Sequence, residues 1–420
     1  MKAFASAFLL EWRSLVRSKA AALLAVAALG WMAALPRIAG GGTADNAAAI
    51  DARYALGSAF AIVLVSLSAA AAGSLARERE EKRLQLSAIR PVRLAVLAAA
   101  RIAALAVCGS AVLAACCALL AWRTGPSLPC DRAYPPVLES PSDEARRLYE
   151  EYCEKYADFR EKAEQAGKMQ TLRYLEEFAK SKMQTVAPGE TAVWNFPAPA
   201  GGDGAKLAVR CRFIDAFGRL EKMAGTFRFG GAEGEIGGMN KTEARVPLSR
   251  KPEDGASTAP GTLEFRNNGR IGATLSPRND LRLLEEDGTF AGNAARAWIV
   301  LSAVLCMALS IGVFLGACFG RSVAVFCTMA LLAMSVMAPA AVEGSIDPLT
   351  ATKAERLGLD LALVSEAALS PLNAFHPVAA LESRETIPLD EALRACAAGF
   401  IAYPALFSLL AGLAMAVKRE

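Results

Sequence analysis

The residues of this chain that could do chemistry are few: one histidine, ten cysteines and a glycine-rich run ending in Lys-Thr. The run is Gly237 to Thr242, GGMNKT. A phosphate cradle of the form G-x-x-x-x-G-K-[ST] needs glycine at positions 235 and 240, where the backbone must turn closely around phosphate. Those positions hold Glu235 and Asn240, so the cradle is not expected. A hydrolytic triad would have to use His376, which lies among the prolines Pro371 and Pro377. No G-x-S-x-G elbow accompanies it. Seven cysteines sit within apolar runs, where Cys behaves as a small hydrophobe. Cys130, Cys153 and Cys211 lie in a polar stretch, and three thiols allow at most one bridge. No Cys/His spacing suits a metal. The chain is therefore expected to carry out no covalent chemistry and to hold no cofactor or metal.

One short segment does suggest work of another kind. Arg77 to Arg93 reads RERE-EKRLQLSAIRPVR. Glu78 and Lys82 stand i,i+4, which favours a helix. Leu84, Leu86 and Ile89 then place an apolar patch amid charges. Pro91 suits the first turn of a new helix and disfavours helical backbone at Arg90. The segment reads as helix, amphipathic knuckle, turn, helix. Composition taken alone favours a solvated basic loop instead.

What surrounds this segment decides which environment it meets. The chain has 420 residues, 54% hydrophobic, with mean hydropathy +0.30. Arg123 to Arg296 holds 26 basic and 26 acidic residues, leaving 20 and 16 for everything else. That remainder is built of long uncharged runs. About 20 apolar residues cross the hydrocarbon of a bilayer as a helix. Six runs are expected to do so: Ala20 to Leu35, Ala55 to Ala76, Ile102 to Trp122, Ala297 to Phe319, Ser322 to Val342 and Ala395 to Val417. None contains Asp, Glu, Lys or Arg, and Arg101 at the mouth of the third is expected to snorkel to the interface. Runs of this kind exclude a wholly soluble enzyme, a nucleic-acid binder with a broad basic face and a disordered chain. A transporter driven by protons or sodium is disfavoured too, since ion relays use ionisable residues within spans.

Basic residues set the orientation. Fourteen gather on one side of the six expected spans, from Lys2, Arg13, Arg17 and Lys19, through Arg77 to Arg101, to Arg321, Lys418 and Arg419. The opposite side includes Glu343 to Glu391, with three basic and nine acidic residues. Both termini and the knuckle are thus expected in the cytoplasm, and the neutral stretch outside it. Phe4, Phe8, Trp12, Leu15 and Val16, joined by Leu9, share one helical face opposite Ser6, Arg13, Ser14 and Arg17, with Leu10 the exception. This predicts a helix in the membrane interface over residues 1–19. The alternative is that these residues are the leading turns of the first span. The first span is expected to be retained, since no A-x-A cleavage site follows it.

The expected organisation follows. Residues 20–122 hold spans one to three with the coupling loop 77–93. Residues 123–296 form an extracytoplasmic domain, and residues 297–342 a tight hairpin of spans four and five joined at Gly320 to Ser322. Short helices occupy 343–391, and the sixth span and tail 392–420. The extracytoplasmic domain divides in two. Ser140 or Ser142 can cap a helix with Pro141 early in it, and Tyr149, Tyr152, Tyr156 and Phe159 recur at helical spacing. Gly167 is expected to bend it. After Pro188-Gly189 the period becomes two: Leu207, Val209, Cys211 and Phe213 alternate, and GTFRF, GTLEF and RIGATL repeat the theme. That predicts an antiparallel β-sandwich or jelly roll. Trp194, Phe213, Phe227, Phe229 and Phe265 are expected in its core. The fold class is a polytopic α-helical membrane protein with an extracytoplasmic α+β domain.

The arrangement resembles the permease subunit of type 2 ABC exporters. In that family an interfacial helix precedes six spans and a coupling helix joins spans two and three. Spans four and five form a tight hairpin, and short outer helices precede span six. The residues that carry the likeness are Glu80 to Val92, EEKRLQLSAIRPV, against the family's E-E-G-T-L-E-x-L-L-x-x-P-V. Glu80, Glu81, Leu84, Leu86, Pro91 and Val92 fit in register, with Ile89 completing the apolar patch. Lys82-Arg83 replace Gly-Thr, Gln85 replaces Glu and Ser87 replaces Leu. NAFHPVAAL from Asn373 loosely resembles the segment before the last span. The resemblance covers about 245 residues in two blocks, and the 174 residues between them look like the large outer insertions of some bacterial members. It implies a multi-pass protein of the bacterial inner membrane, both termini cytoplasmic. It also implies a second permease copy, in a homo- or heterodimer, and a cytoplasmic ABC ATPase that binds the ATP and magnesium. The contrasting reading is a membrane-anchored sensor or scaffold whose β-domain binds an envelope ligand.

Overall fold

A computed structural model describes residues 2–17, 19–39, 51–80, 94–197, 199, 206–213, 222–239, 243–250, 261–343, 358, 372 and 375–417. Within them the chain divides into two compact units, Asp131–Asp287 and the helices on either side of it. The helical unit begins with α1 (Lys2–Arg17) and α2 (Ala20–Ala39). A π-helical turn (Asp51–Leu56) leads into α3 (Gly57–Glu80), followed by α4 (Leu94–Thr124). The other unit holds β1 (Pro129–Tyr134), α5 (Pro141–Lys155), α6 (Ala157–Ala166) and α7 (Lys168–Ser181). Strands β2 (Gln184–Val186), β3 (Thr191–Asn195), β4 (Leu207–Arg212), β5 (Lys222–Phe229) and β6 (Ala232–Met239) follow. They continue with β7 (Glu243–Arg250), β8 (Thr262–Asn267), β9 (Ala273–Leu275), the single turn α8 (Pro277–Asp280) and β10 (Leu281–Thr289). The chain returns to helices with α9 (Phe290–Cys318), α10 (Arg321–Glu343), α11 (Pro377–Glu382) and α12 (Leu389–Cys396). A second π-helical stretch (Ala397–Ala402) runs into α13 (Tyr403–Val417).

Among the described residues, four helical runs are long and apolar enough to cross a membrane: Asp51–Glu78, Leu94–Thr124, Phe290–Cys318 and Leu389–Val417. A fifth is counted if α1 and α2 are taken as one span bent by 63°. The bend falls at Lys19, whose φ of +56° no helix interior uses, so these residues are two helices and not one leading run. α10 is apolar over Arg321–Ser335.

α9 is the axis of the helical unit, its apolar window 83% buried against 17% for Leu389–Val417. Small residues let neighbouring backbones touch it. A Cβ at Gly312 would stand 3.1 Å from the Ser68 carbonyl, and one at Gly316 would overlap the Ala72 carbonyl. Gly312-x-x-x-Gly316 is therefore a close-approach face for α3. Gly399 meets the Ala303 carbonyl in the same way, and Gly109 fits against Leu305. α4 runs on to Thr124 and α9 starts already at Phe290, so the compact unit between them is Asp131–Asp287 against the expected 123–296.

In the β unit eight antiparallel strands form one curled sheet, ordered β1-β10-β4-β7-β6-β5-β8-β3, and β2 pairs with β9 apart from it. The expected sandwich becomes a single sheet because β7 serves both halves. Its residues Glu243 to Leu248 pair with β4, and Ser249 and Arg250 pair with Glu233 and Ala232 of β6. Both halves then line one core, where Phe265 stacks 4.8 Å from Phe227 and 5.0 Å from Phe213. Trp194 and Phe229 are buried there too, so the strand aromatics are core residues as the alternation predicts. Gly225 is required for this packing, since a Cβ there would meet the Phe265 ring and the Arg266 carbonyl.

Beside the sheet, α5 starts with Ser140 at its cap and Pro141 in its first turn. Gly167, with φ of +92°, bends the chain between α6 and α7 as expected. An earlier break, at extended Tyr156, divides α5 from α6 where the periodicity shows none. Tyr152 and Phe159 meet edge to face at 5.5 Å across it. Glu144 in the first turn of α5 accepts from Lys182 at 2.8 Å and Arg278 at 3.1 Å, tying α5 to α7 and α8. Burial works against its charged form, but these two cations outweigh burial and hold its pKa below the usual value. Asp131 shows the opposite balance. Burial pushes its pKa up despite Arg245 at 2.8 Å.

Candidate coupling site

The expected coupling residues Glu81, Leu84, Leu86, Ile89, Pro91 and Val92 lie outside the described residues. The structure does describe what flanks them. α3 ends at Glu80 and α4 begins at Leu94, so any motion of the segment between must enter through these two helix ends. Glu80 does not point to solvent alone. Its Oε1 accepts from the backbone N–H of Arg321 at 2.9 Å. An acidic side chain on the first N–H of a helix satisfies a donor that the helix leaves open and complements its dipole. Glu80 thus fastens the start of α10 to the end of α3.

Two residues earlier, Glu78 accepts from Nη2 of Arg101 at 2.6 Å. The same Nη2 donates to Glu11 of α1. Arg101 lies two turns inside α4, only 3% exposed. The expected snorkelling Arg101 is corrected by this geometry: the helix begins at Leu94, well before the apolar run, and the guanidinium turns inward to two carboxylates. Its Nε and Nη1 are buried without a hydrogen-bond partner among the described residues. A buried guanidinium needs countercharge, and its planar fork can serve two carboxylates together. The result is a three-residue ion cluster joining α1, α3 and α4 around the ends of the 81–93 segment.

The amphipathic pattern of α1 has a matching consequence. Phe4, Phe8 and Trp12 stack in sequence at 6.4 Å. Leu15 packs on the helical core, while Leu9, Leu10 and Val16 remain exposed. At the far end of the same helices a second set of polar contacts appears. Arg123 pairs with Asp51 at 3.3 Å and donates to the Met32 carbonyl at 3.0 Å, linking α4, the π-turn and α2. Asn293 donates to the Glu385 carbonyl at 2.7 Å and accepts from the Ile387 N–H at 2.8 Å. Charge therefore clusters at both ends of the helical unit, with apolar and small residues between.

The sequence puts Glu80 in the coupling segment and gives no sign of its bond to the start of α10. Glu11, Glu78 and Arg101 are missed as a cluster, because residues 90 apart give no local signal. A charged residue on an otherwise apolar α1 face, together with an arginine just before an apolar run, is the available hint. As for other chemistry, Gly237 to Met239 lie on strand β6, paired to β5, with Asn240 to Thr242 outside the described residues. His376 precedes α11 and makes no cap bond with its side chain. No group of three His, Cys, Asp or Glu is placed to hold a metal among the described residues. Compared with protein-family models, with curated proteins and with solved structures, the chain matches none.

Proposed function

We propose that this chain is the membrane subunit of an ATP-driven exporter, crossing the bilayer six times. Segment 81–93 receives the motion of a separate cytoplasmic ATPase. One observation supports this most: both helix ends that border the segment are wired to other helices. Arg101 connects α3 and α4 to α1 through Glu78 and Glu11, and Glu80 connects α3 to α10. A solvated loop with no load has no need of such ties, whereas a lever needs them. The ATPase binds Leu84, Leu86 and Ile89. Its closure pulls Glu80 and Leu94, and the ion cluster hands that displacement to α1 and α10. No bond is made or broken in this chain, and ATP and magnesium stay with the partner.

The test is Leu84→Asp with Leu86→Asp in the full chain, co-expressed with an ATPase encoded beside it. The double variant inserts and folds as before, since these residues lie beyond the apolar runs. It loses co-purification with the ATPase, because each buried Leu contributes roughly 1.5–3 kcal/mol at an apolar interface, and a charge forced into that cleft weakens it further. Unchanged co-purification and unchanged ATP hydrolysis in liposomes would overturn the assignment of the segment.

A further inference from the structure

Along α4, beside α9 and the run from Phe400 to α13, lies a groove of about 680 Å³. Ala103, Ala106 and Val107 line one wall, Cys306 the floor, and Ile401 and Ala405 the other wall. Phe4 of α1 stands at one end. Among the described residues, no charged one lines it. Two serine hydroxyls do, and both make hydrogen bonds within the bundle. Ser110 Oγ accepts from Ser302 Oγ at 3.0 Å, the Ser110 carbonyl accepts from Trp298 Nε1 at 2.9 Å, and Ser408 Oγ donates to the Ala405 carbonyl at 3.1 Å. With no charge and only two hydroxyls in an otherwise apolar lining, the groove suits a hydrocarbon ligand.

The dimensions narrow the occupant. The α4 wall runs from Ala99 to Ala111, roughly 18 Å at ~1.5 Å per residue. Half the hydrocarbon of a bilayer is about 15 Å. The groove starts at the level of the amphipathic helix α1 and ends near the middle of α4, so it spans one leaflet. A single methylene chain matches this length and this lining. The position suits it as well: Ile401 and Ala405 are exposed on the bundle's rim, where the surrounding medium is lipid.

We infer that this groove binds one acyl chain of a membrane phospholipid, from the leaflet that α1 borders. The head lies at the level of α1 and the tail runs inward to Phe400 and Ala111. The site requires that the chain spans a bilayer and is independent of whether it is an exporter.

The experiment uses the full chain in nanodiscs of phosphatidylethanolamine and phosphatidylglycerol, doped with phosphatidylcholine that carries a diazirine at one of two depths. After illumination, cross-linked residues are mapped by mass spectrometry. A diazirine near the head labels Phe4 and Ala99, and one at the chain end labels Ala111 and Phe400. Labelling in the groove exceeds that at the exposed apolar residues Val26 and Phe326 by about tenfold, the ratio that a modest preference produces. Ala103→Phe with Ala405→Phe fills the groove and brings its labelling down to the Val26 level. Labelling that ignores diazirine depth overturns the proposal, as does labelling no higher than at Val26, and either can be read in the unaltered chain. Cross-links from groove residues to a second copy of the chain would overturn it in favour of a protein partner.

Discussion

Replacing Arg101 with methionine should destabilise the helical unit, and the structure lets the size be worked out. Arg101 is 3% exposed and donates to both Glu11 and Glu78. Methionine keeps the apolar stem and removes the charge, leaving two carboxylates facing one another. Breaking one side of a buried ion pair costs about 3–5 kcal/mol. Glu11 and Glu78 are not equally deprived. The Glu11 side chain is 14% exposed and Glu78 34%, so Glu78 can recover hydration and Glu11 largely cannot. The loss should thus fall near the lower bound, about 3 kcal/mol, and act first on α1, which Glu11 anchors. That is over a hundredfold in the detached fraction of α1. Equilibrium unfolding in mixed micelles followed by circular dichroism gives the total, and limited proteolysis reports the release of α1. Arg101→Lys should fall between, since a point charge cannot serve two carboxylates as the fork does. The decisive comparison is Arg101→Met combined with Glu11→Gln and Glu78→Gln. Removing all three charges together should restore stability to within about 1 kcal/mol of the original, because no uncompensated charge remains. If the triple variant were as unstable as the single one, the loss would stem from packing of the arginine stem and the electrostatic reasoning would be refuted.

Other measurements test other links. Gly316→Leu should split α9 from α3, since even a Cβ overlaps the Ala72 carbonyl, and should abolish a monodisperse folded peak in size-exclusion chromatography. Gly30→Ala, with nothing within 4 Å of its added Cβ, should be neutral or stabilise α2 by up to about 1 kcal/mol. Residues 124–295 expressed alone in the periplasm should melt cooperatively, and their stability should fall as pH drops below about 4.3, the ordinary glutamate range. There the folded state, with its depressed Glu144, binds fewer protons than the unfolded chain. Asp131, whose pKa is raised, works in the opposite sense, so Glu144→Gln should flatten the acid limb. With Cys130, Cys153 and Cys211 replaced, cysteines at Asp45, Gly202 and Ser365 should react with an impermeant thiol reagent in spheroplasts if the six-span reading holds. Those at Gln85 and Glu420 should not, and labelling at Gln85 would overturn the six-span topology.

What sequence could and could not foretell follows from the range of the interactions. Alternation at Val209, Cys211 and Phe213 is a property of neighbours, so the strand and its buried face were readable. So were the bend at Gly167, which needs only one residue's freedom at φ > 0, and the apolar runs that became α3, α4 and α9. Sheet closure was not readable, because it depends on Ser249 and Arg250 of β7 leaving β4 for β6. The division at Tyr156 was missed because the aromatic spacing continues through it, and the structure uses that continuity to pack Tyr152 on Phe159 across the break. Arg101 was misread for the reverse reason. The apolar run begins after it, but helix propensity in LAVLAAA carries α4 back to Leu94 and encloses the guanidinium. The role of Gly312 and Gly316 was not read from the sequence, because it rests on their nearness to Ser68 and Ala72 of another helix.

The two kinds of contact in the helical unit divide its labour. Within a bilayer, helices gain nothing from hiding leucine from lipid, so close backbone approach and dispersion must hold them. Gly312, Gly316, Gly399 and Gly109 supply that approach, and all of them join α9 to its neighbours. Such interfaces are short-ranged and steep, and they resist sliding. α1 is attached differently, through the Arg101 cluster, Leu15 and the end of the groove at Phe4. An ion pair can tilt and lengthen by fractions of an ångström while keeping much of its attraction, which falls only as the inverse of distance. A force delivered at 81–93 would therefore leave the α3–α9 contact in place and be taken up at α1, the element held by charge. In the exporter reading, α9 is the fixed post of the machine and α1 its moving rim. The acyl chain proposed for the groove lies between them, against the one helix whose position would change.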